Sequence, residues 1–479
     1  MSQDLLDETR KATCLLLEHI KKEKSVLVIS HMDADGLAAA GIIGVSLARA
    51  DANFRIRIER WFNEKVMKDV ASEKDCLTIL VDMGSGYLNI LNDNMKGKPL
   101  IILDHHQPIE KESETFIHVN PHLHGIDGSR GISASGIAYF VAKTLSERNT
   151  DLAYLGVIGA LGDLQDKYNG RRLGGVNELI VEEAVKTGYL QTETDLLFFG
   201  RETRPIHKAL AYTTTPFIPG ISGEEDKSLA FLMDLGIKPK EGEKWRALRD
   251  LSKEEKQKIF SALTEYFVSK GLKSDVAMNL LGTVYILNRE EPWTPLRDAR
   301  EFALLLNATG RTGKAGLGVA ICMGDRGMSL EEANKTLEEY KQTITKYLKW
   351  LGENPDRIEE LESIYVLHGE QVIDEKVISA ISSILSTSLP KIEKPLIAYS
   401  TIPEEKIIKI SARTVDAMTL KGFNIGEVLR LAAEKCSGTG GGHNIAAGAQ
   451  VPYEHKAQFL KCVNELVKKH LQSLKDDGS

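Results

Sequence analysis

The N-terminal part of the chain alternates short apolar runs with stretches that have the period of a helix. Residues 25–30, 76–81 and 99–103 are apolar runs, and we predict that they form strands of a parallel sheet that is buried on both faces. Residues 54–58 alternate in polarity and predict a further strand, whereas residues 37–50 are rich in alanine and leucine and predict a helix. This order of elements predicts an α/β fold built from βαβ units.

The pattern changes further along the chain. Residues 203–223 carry three prolines and several threonines and predict a loop, and residues 228–270 are charged and mostly helical in pattern. A strand, a helix and a glycine-rich loop are predicted over 278–324, followed by a charged helix over 329–352. Alternation then resumes, with strands predicted at 363–367, 395–400 and 406–411 and helices at 377–388 and 427–436.

These patterns divide the chain into three parts. We predict an α/β domain over residues 1–190, a mainly helical insertion over 195–275, and a linker region with a smaller α/β domain over 276–479. A chain of 479 residues is long enough for two or three domains, and its 42% hydrophobic and 27% charged residues are typical of a globular protein.

Composition excludes several classes of protein. The N-terminal helix carries both signs of charge, which does not fit a secretory signal, and no apolar run approaches the ~18 residues needed to span a membrane. Five cysteines lie far apart without a CxxC pair, which favours reduced thiols in a cytoplasm. The net charge of −7 is unlike that of a general nucleic-acid binder, so any nucleic acid must be held by local basic clusters.

Acidic and histidine residues follow four apolar segments of the N-terminal domain. They are His31, Asp33 and Asp35 after the first strand, Asp82 after residues 76–81, Asp104, His105 and His106 after residues 99–103, and Asp163 at the end of LAYLGVIGALGD. Ligands bind outside the carboxyl ends of the strands in open α/β sheets, so these groups are expected to meet in one cleft.

So many carboxylates in one cleft repel each other unless a cation neutralises them. Mixed carboxylate and imidazole ligands suit Mn²⁺, whereas Mg²⁺ prefers an all-oxygen shell. A single aspartate after a strand is more often a cap or turn residue. The joint pattern nevertheless predicts a metal centre, and two ions bridged by a carboxylate are the usual arrangement for displacement at phosphorus.

The segments SHMDADG, VDMGSG, LDHHQP and GALGDLQD resemble, in order, the four motifs of the DHH phosphoesterase superfamily. SART at 411–414 and GGGHNIAAG at 440–448 resemble the superfamily's associated C-terminal substrate domain. The resemblance covers the whole chain except the middle insertion.

The resemblance implies a role for each motif residue. His31 and Asp33 would hold one Mn²⁺, with Mg²⁺ as an alternative ion, and Asp35, His105 and Asp163 would hold the second. Asp82 would bridge the two ions, His106 would lie beside the scissile phosphate, and Asp104 would orient the histidines. The substrate-binding residues would be Arg413, Gly440, Gly441, Gly442 and His443.

The C-terminal motif also has a physical interpretation of its own. Consecutive glycines let a backbone approach a ligand and expose N–H groups to phosphate, and Arg413 at a strand end can contact phosphate in a bidentate manner. The alternative is an ordinary glycine loop. Residues 310–314 (GRTGK) lack the first glycine and the Ser or Thr of a P-loop, so NTP binding is rejected. His118, His122 and His124 are predicted to lie in a surface loop.

The chain resembles the RecJ branch in its length and in the segment LLNATGRTGKAGLGVAICMGD. It is similar in particular to archaeal RecJ-like nucleases that associate with the GINS replication complex. This resemblance implies a single-strand exonuclease in DNA replication or repair, with 5′→3′ polarity on DNA and RNA as a further substrate, and a partner-binding insertion. Two alternatives stay open: a phosphodiesterase for short oligonucleotides or cyclic dinucleotides, and a replisome scaffold without catalysis. The ligands alone specify neither polarity nor the choice of DNA or RNA.

Overall fold

The computed structural model describes residues 3–62, 64–108, 116–167, 170–213, 216–271, 275–386 and 394–476. The chain divides into two compact units, residues 1–337 and 338–479, and each is described by itself. Both units are α/β, which confirms the predicted fold class.

A five-stranded sheet of order β2-β1-β3-β4-β5 forms the centre of the first unit, and its strands are all parallel to their neighbours. The strands are β1 (Ser25–His31), β2 (Phe54–Glu59), β3 (Cys76–Val81), β4 (Leu100–Leu103) and β5 (Ile117–Val119). Every side chain of β3 and β4 is buried, as continuous apolar runs in a parallel sheet require. The strands β1, β2, β3 and β4 were predicted to within two residues, whereas β5 is too short to leave a pattern.

Seven helices surround or flank this sheet in the described chain: α1 (Gln3–Lys21), α2 (Ala34–Arg49), α3 (Glu64–Ser72), α4 (Leu88–Asn94), α5 (Ala134–Leu145), α6 (Ala153–Gly162) and α7 (Val176–Lys186). The helices α2, α5 and α6 pack against one another and are mostly buried. The segment 152–163, which we grouped with the apolar strands, is therefore a helix. Its ten central residues are rich in alanine and glycine, and these small side chains let it pack closely against α2 and α5.

The rest of the first unit is mainly helical, in agreement with the helical pattern predicted over residues 195–275. It contains β6 (Leu190–Leu196), α8 (Ile206–Ala211), α9 (Glu225–Asp234), β7 (Lys240–Glu241), β8 (Lys244–Trp245), α10 (Lys253–Ser269), α11 (Asp275–Met278), β9 (Leu281–Leu287), α12 (Ala299–Arg311), α13 (Ala315–Cys322) and the start of α14 (Met328–Glu353). A separate apolar core that includes Leu210, Ile259 and Phe267 lies within this region. Strands β6 and β9 of this region pair antiparallel with each other.

The second unit is built on a six-stranded mixed sheet of order β10-β11-β12-β13-β15-β14. Its elements are β10 (Ile358–Glu360), β11 (Tyr365–Glu370), α15 (Ile378–Ser386), β12 (Leu396–Ile402), β13 (Ile407–Arg413), α16 (Asp416–Thr419), α17 (Ile425–Glu434), β14 (Thr439–Gly442), β15 (Ala446–Pro452) and α18 (Lys456–Asp476). Helices α17 and α18 contribute to a core with the sheet. None of the described helices combines the length and apolar character needed to cross a bilayer.

Candidate metal centre

Three neighbouring strands of the parallel sheet end in predicted site residues, two of them ligands and one the aspartate expected to orient the histidines. His31 is the last residue of β1, Asp82 follows β3 directly, and Asp104 follows β4, so all three lie at the carboxyl edge of the sheet. Asp33 caps the N-terminus of α2 by accepting a hydrogen bond from the backbone N–H of Gly36 at 3.0 Å. Sheet topology alone therefore brings these motif segments together, as the sequence predicted.

Asp82 lies at the centre of the cluster. One carboxylate oxygen is 3.4 Å from Nδ1 of His31, and the other is 3.3 Å from Nε2 of His105 and 3.8 Å from Nδ1 of His106. Its backbone has φ 57°, in the left-handed region that a non-glycine residue seldom adopts, which is typical of strained functional positions. Asp82 belongs to a group with His31 and Asp33 and to another with Asp35 and His105, each compact enough to hold a metal ion.

Asp163 joins the cluster from a helix, because it is the residue at the C-terminal end of α6. Its carboxylate is 3.2 Å from Nε2 of His105, and that nitrogen is 3.8 Å from the carboxylate of Asp35. Helix α6 can approach this closely because it carries Gly159, where an added Cβ would overlap the Asp35 carboxylate, and Gly162, where it would lie 2.6 Å from Cβ of Ala34.

Backbone amides hold the Asp35 carboxylate in place. One oxygen accepts from the N–H of Ala134 at 2.7 Å and the other from the N–H of Ser135 at 3.0 Å, both in the first turn of α5. The positive end of the helix favours a negative charge there. Burial nevertheless raises the pKa of Asp35 to about 6, and the charge of Asp163 adds to the shift.

The position of His105 is set by hydrogen bonds on the far side of its ring. Its Nδ1 is 2.7 Å from the carbonyl oxygen of Gly128, which can only accept, so Nδ1 carries a proton and Nε2 is the ring nitrogen that faces the carboxylates. Gln165 donates to the same carbonyl at 2.9 Å, and its own oxygen accepts from Asn177 at 2.7 Å. We did not identify Gly128, Gln165 or Asn177 from the sequence, because isolated residues of these types form no recognisable pattern.

His106 is oriented by Asp104. The ring Nδ1 is 2.7 Å from Oδ1 of Asp104, and the other oxygen of Asp104 accepts from the backbone N–H of Ser85 at 2.8 Å. Burial would raise the pKa of Asp104, but the charges of His106 and His105 and the hydrogen bonds from His106 and Ser85 together outweigh burial and hold the pKa of this carboxyl well below its usual range. The geometry agrees with an orienting role for Asp104.

Further polar side chains contact Ser85, the residue whose backbone N–H donates to Asp104. The Ser85 hydroxyl is 3.0 Å from Nε2 of His118 and accepts from the amide of Asn120 at 2.9 Å, and the same amide donates to the His106 carbonyl. His118 is buried in β5, so its predicted place in a surface loop was wrong. His122 and His124 follow in a short 3-10 helix and are partly buried. The error arose because β5 is only three residues long.

The electrostatics of the cluster favour a bound cation. Burial raises the pKa of Asp82 and of Asp163, and the charge of Asp33 contributes to both shifts. Among the residues that the structure describes, none donates a well-formed hydrogen bond to either carboxylate oxygen of Asp82. A buried carboxylate without donors is costly unless a cation compensates it. The donor set, four carboxylates and two imidazoles, therefore fits divalent metal ions.

Arg60 and Trp61 lie at the same edge of the sheet and were not singled out from the sequence. They follow β2 directly, and β2 pairs with β1 so that Glu59 is opposite His31. An arginine and a tryptophan at this edge of the sheet are residue types that can contact phosphates and stack on bases. The signal that could have identified them is their position after an alternating strand.

The predicted substrate-binding residues all lie in the second unit. Arg413 ends β13, and its guanidinium donates to the Ser383 hydroxyl and to the Ala412 carbonyl, each at 2.8 Å. The backbone N–H of His443 donates to the Ala446 carbonyl at 2.9 Å, in the turn between β14 and β15. The structure thus shows how these residues are held within their own unit.

The three glycines form the edge strand β14 rather than a loop, because they pair with β15 from Gly440↔Ala449 to Gly442↔Ala447. A Cβ on Gly440 would lie 2.9 Å from the Leu429 carbonyl oxygen, so this glycine lets α17 pack on the strand. Gly442 has φ 139°, which side chains rarely allow. Packing does not explain Gly441, because an added Cβ there meets no described atom within 4 Å.

Two of the remaining basic residues serve the fold. Arg201 is buried among carboxylates, with Asp195 at 2.6 Å and Glu193 at 3.1 Å. Lys314 pairs with Glu332 at 2.7 Å.

Three family descriptions match the chain. Residues 25–159 match the DHH family N-terminal domain, residues 198–281 the DHH-CID domain, and residues 364–469 the DHHA1 domain. An uncharacterized protein of Methanocaldococcus jannaschii is 34% identical over 475 residues, which is 98% of this chain and 99% of that protein.

Solved structures share the fold at lower identity. CDC45 from Entamoeba histolytica has a TM-score of 0.67 at 12% identity, and the match covers 97% of this chain and 99% of CDC45. A manganese-bound exonuclease RecJ has a TM-score of 0.56 at 19% identity, covering 96% of this chain and 94% of that one. RecJ from Thermus thermophilus with Mn²⁺ has a TM-score of 0.59 at 18% identity over 96% of this chain, which spans 55% of that protein.

We expect metal binding to release protons, and apparent Mn²⁺ affinity to fall as the pH is lowered from about 8 to 5. Ligands must be unprotonated to bind. Burial lowers the pKa of His31 and His105, but the adjacent aspartates outweigh burial and leave both pKa values raised, and the Asp35 carboxyl has a pKa of about 6. Protons therefore compete with the metal near neutrality. Calorimetry in buffers of different ionisation enthalpy measures this release, and an affinity independent of pH would contradict the assigned ligands.

Proposed function

This chain belongs to the DHH family, in its RecJ-like branch, and from that premise we propose that it is a two-metal phosphodiesterase that degrades single-stranded nucleic acid from an end. The observation that supports this function most is the convergence of five other potential ligands around the Asp82 carboxylate. Phosphodiesters are cleaved by in-line displacement, which two closely spaced cations promote.

His31 and Asp33 would hold one Mn²⁺, Asp35, His105 and Asp163 would hold the other, and Asp82 would contact both. When bound, the ions supply Lewis-acid activation of the phosphodiester and of the attacking water. Mn²⁺ is proposed over Mg²⁺ because imidazole supplies two of the six ligands. RecJ structures of similar fold are described with Mn²⁺ or with Mg²⁺, so the preference for Mn²⁺ rests on the imidazole ligands.

The protein's own groups orient the reaction. Nδ1 of His106 is bonded to Asp104, so its Nε2 is the ring nitrogen available to donate to a phosphate oxygen. Burial lowers the pKa of His106, but Asp104 and Asp82 together outweigh burial and leave this pKa raised, which favours the protonated ring that can donate. The phosphates of the substrate are proposed to be bound by Arg413, by the backbone of Gly440, Gly441 and Gly442, and by His443.

The biological setting is proposed from the relatives. RecJ is named an exonuclease, and on that likeness we propose 5′→3′ degradation of DNA, with RNA as a further substrate, in replication or repair in the cytoplasm. The insertion is proposed to bind a GINS-like complex. Exposed apolar side chains at Met233 and Val268 support a partner surface there.

A replisome scaffold is the second candidate, favoured by the similarity of the fold to CDC45. Fold similarity does not decide between the two functions, because function depends on the site. The complete ligand set supports catalysis, since a scaffold gains nothing from buried carboxylates that repel one another.

We expect Asp82→Asn to lower cleavage by about 1,000-fold or more, which corresponds to about 4 kcal/mol of activation free energy. The amide keeps the shape of the side chain but loses the charge that faces both halves of the ligand cluster. Cleavage of a labelled single strand measures the effect, with Asp93→Asn as control because Asp93 is exposed on α4. A wild-type protein that is loaded with Mn²⁺ and cleaves no substrate would instead support the scaffold.

We also expect single strands and unpaired tails to be degraded much faster than blunt duplex, with a halt at the duplex junction. The scissile phosphate must reach ligands that are almost fully buried, such as Asp35 at 0% and His105 at 1% exposure. A flexible single strand can bend into such a site, and phosphate contacts make cleavage nearly independent of sequence. Substrates labelled at either end also give the polarity, and dinucleotides test the short-oligonucleotide alternative. Equal rates on duplex and single strand would be inconsistent with this access.

Gly441→Ala is expected to weaken oligonucleotide binding by about tenfold, or 1.4 kcal/mol, without loss of stability. The added methyl group fits the protein itself, so it can interfere only with a ligand that approaches the strand backbone. Fluorescence anisotropy and thermal unfolding measure the two effects. Gly352→Ala is the matched control, since the space around Gly352 is also open. Unchanged affinity would remove Gly441 from the substrate site.

A further inference from the structure

We propose that helix α12 positions the metal-binding segment 31–36, through Asn307 and Gly310. This inference rests on the proposed metal centre. Asn307 and Gly310 lie between residues 198–281, which match the DHH-CID domain, and residues 364–469, which match the DHHA1 domain. They therefore lie outside all three ranges that match family descriptions. A part of the chain beyond the DHH domain would therefore complete its metal site.

The first contact is a hydrogen bond across 273 residues of sequence. The side-chain oxygen of Asn307 accepts from the backbone N–H of Ala34 at 3.1 Å. Ala34 is the first residue of α2, where N–H groups have no partner within the helix. This bond holds the peptide unit between Asp33 and Ala34, which directly follows one predicted ligand and precedes the next, Asp35.

The second contact is a close approach of backbones one turn later on α12. A Cβ on Gly310 would overlap the carbonyl oxygen of Met32, so only glycine lets the helix lie against this carbonyl. Met32 precedes Asp33, and Ala34 follows it. The helix thus contacts the peptide groups on both sides of Asp33 and restrains the backbone from which this ligand projects.

The other end of α12 is anchored beside the fourth motif. Arg300 donates to the carboxylate of Asp166 at 2.6 Å, and Asp298 caps the helix by accepting from the N–H groups of Arg300 and Glu301 at 2.8 and 3.1 Å. Asp166 is three residues beyond Asp163. One rigid helix therefore links the segment that carries Asp33 and Asp35 to the segment that carries Asp163, which fixes the spacing of ligands for both ions.

The test measures Mn²⁺ affinity of the full chain without substrate, by calorimetry and by the electron paramagnetic resonance of free Mn²⁺. Asn307→Leu removes the acceptor and is expected to weaken binding by about 10- to 100-fold, as losses of groups that orient ligands do. Asn307→Asp keeps an acceptor oxygen and is expected to retain the affinity of the wild type. Thr312→Val is the matched control, because its hydroxyl bonds only to carbonyls of α12 in the structure described.

Gly310→Ala provides a second measurement if Asn307→Leu fails to fold. It should displace the Met32 carbonyl and weaken Mn²⁺ binding, whereas Gly316→Ala, in open space on α13, should not. Folded Asn307→Leu and Gly310→Ala proteins with wild-type affinity would overturn the positioning role. A wild type that binds no Mn²⁺ would overturn both this role and the proposed function. A wild type that binds Mn²⁺ but cleaves no nucleic acid, with weak binding in the variants, would overturn the proposed function alone.

Discussion

Mutual repulsion among buried carboxylates is the constraint on which the first unit depends. Asp35, Asp82 and Asp163 all have pKa values raised by burial, so the fold places negative charge where water cannot screen it. The surroundings compensate only in part. Backbone amides at the start of α5 donate hydrogen bonds that stabilise the Asp35 carboxylate. No described group donates a well-formed hydrogen bond to the Asp82 carboxylate. The remaining charge is what makes this edge of the sheet a cation site.

Close packing of helices brings these charges together. Helix α6 approaches α2 through Gly159 and Gly162, and α12 approaches the same segment through Gly310. At each of these positions a side chain would overlap or crowd an atom of the segment 31–36. Glycine is therefore needed here for the close approach of the helices rather than for flexibility. Interiors are packed too tightly for a ligand to be moved without moving its neighbours, so α2, α6 and α12 set the metal site as a unit.

The sequence allowed the α/β class and most strands to be identified, and it predicted residues that the structure brings together at the carboxyl edge of the sheet, because alternation and strand-end motifs are local patterns. It did not show that Asp163 lies on a helix, since a buried helix rich in alanine and glycine is as continuously apolar as a buried strand. It also missed Asn307, whose bond to Ala34 spans 273 residues and leaves no periodic trace. His118 was misplaced because β5 is only three residues long.

The choice between nuclease and scaffold can be argued from energetics rather than from fold. The TM-scores of 0.67 to CDC45 and 0.56 to RecJ show one shared architecture, so the architecture is compatible with either function. The ligand cluster is different, because buried like charges destabilise the folded protein whenever no cation is bound. A chain without use for metal would be more stable with amides or apolar side chains at Asp82 and Asp163. Carboxylates at both positions, with Gln165 and Ser85 supporting the adjacent histidines, therefore fit a protein that works with metal ions bound.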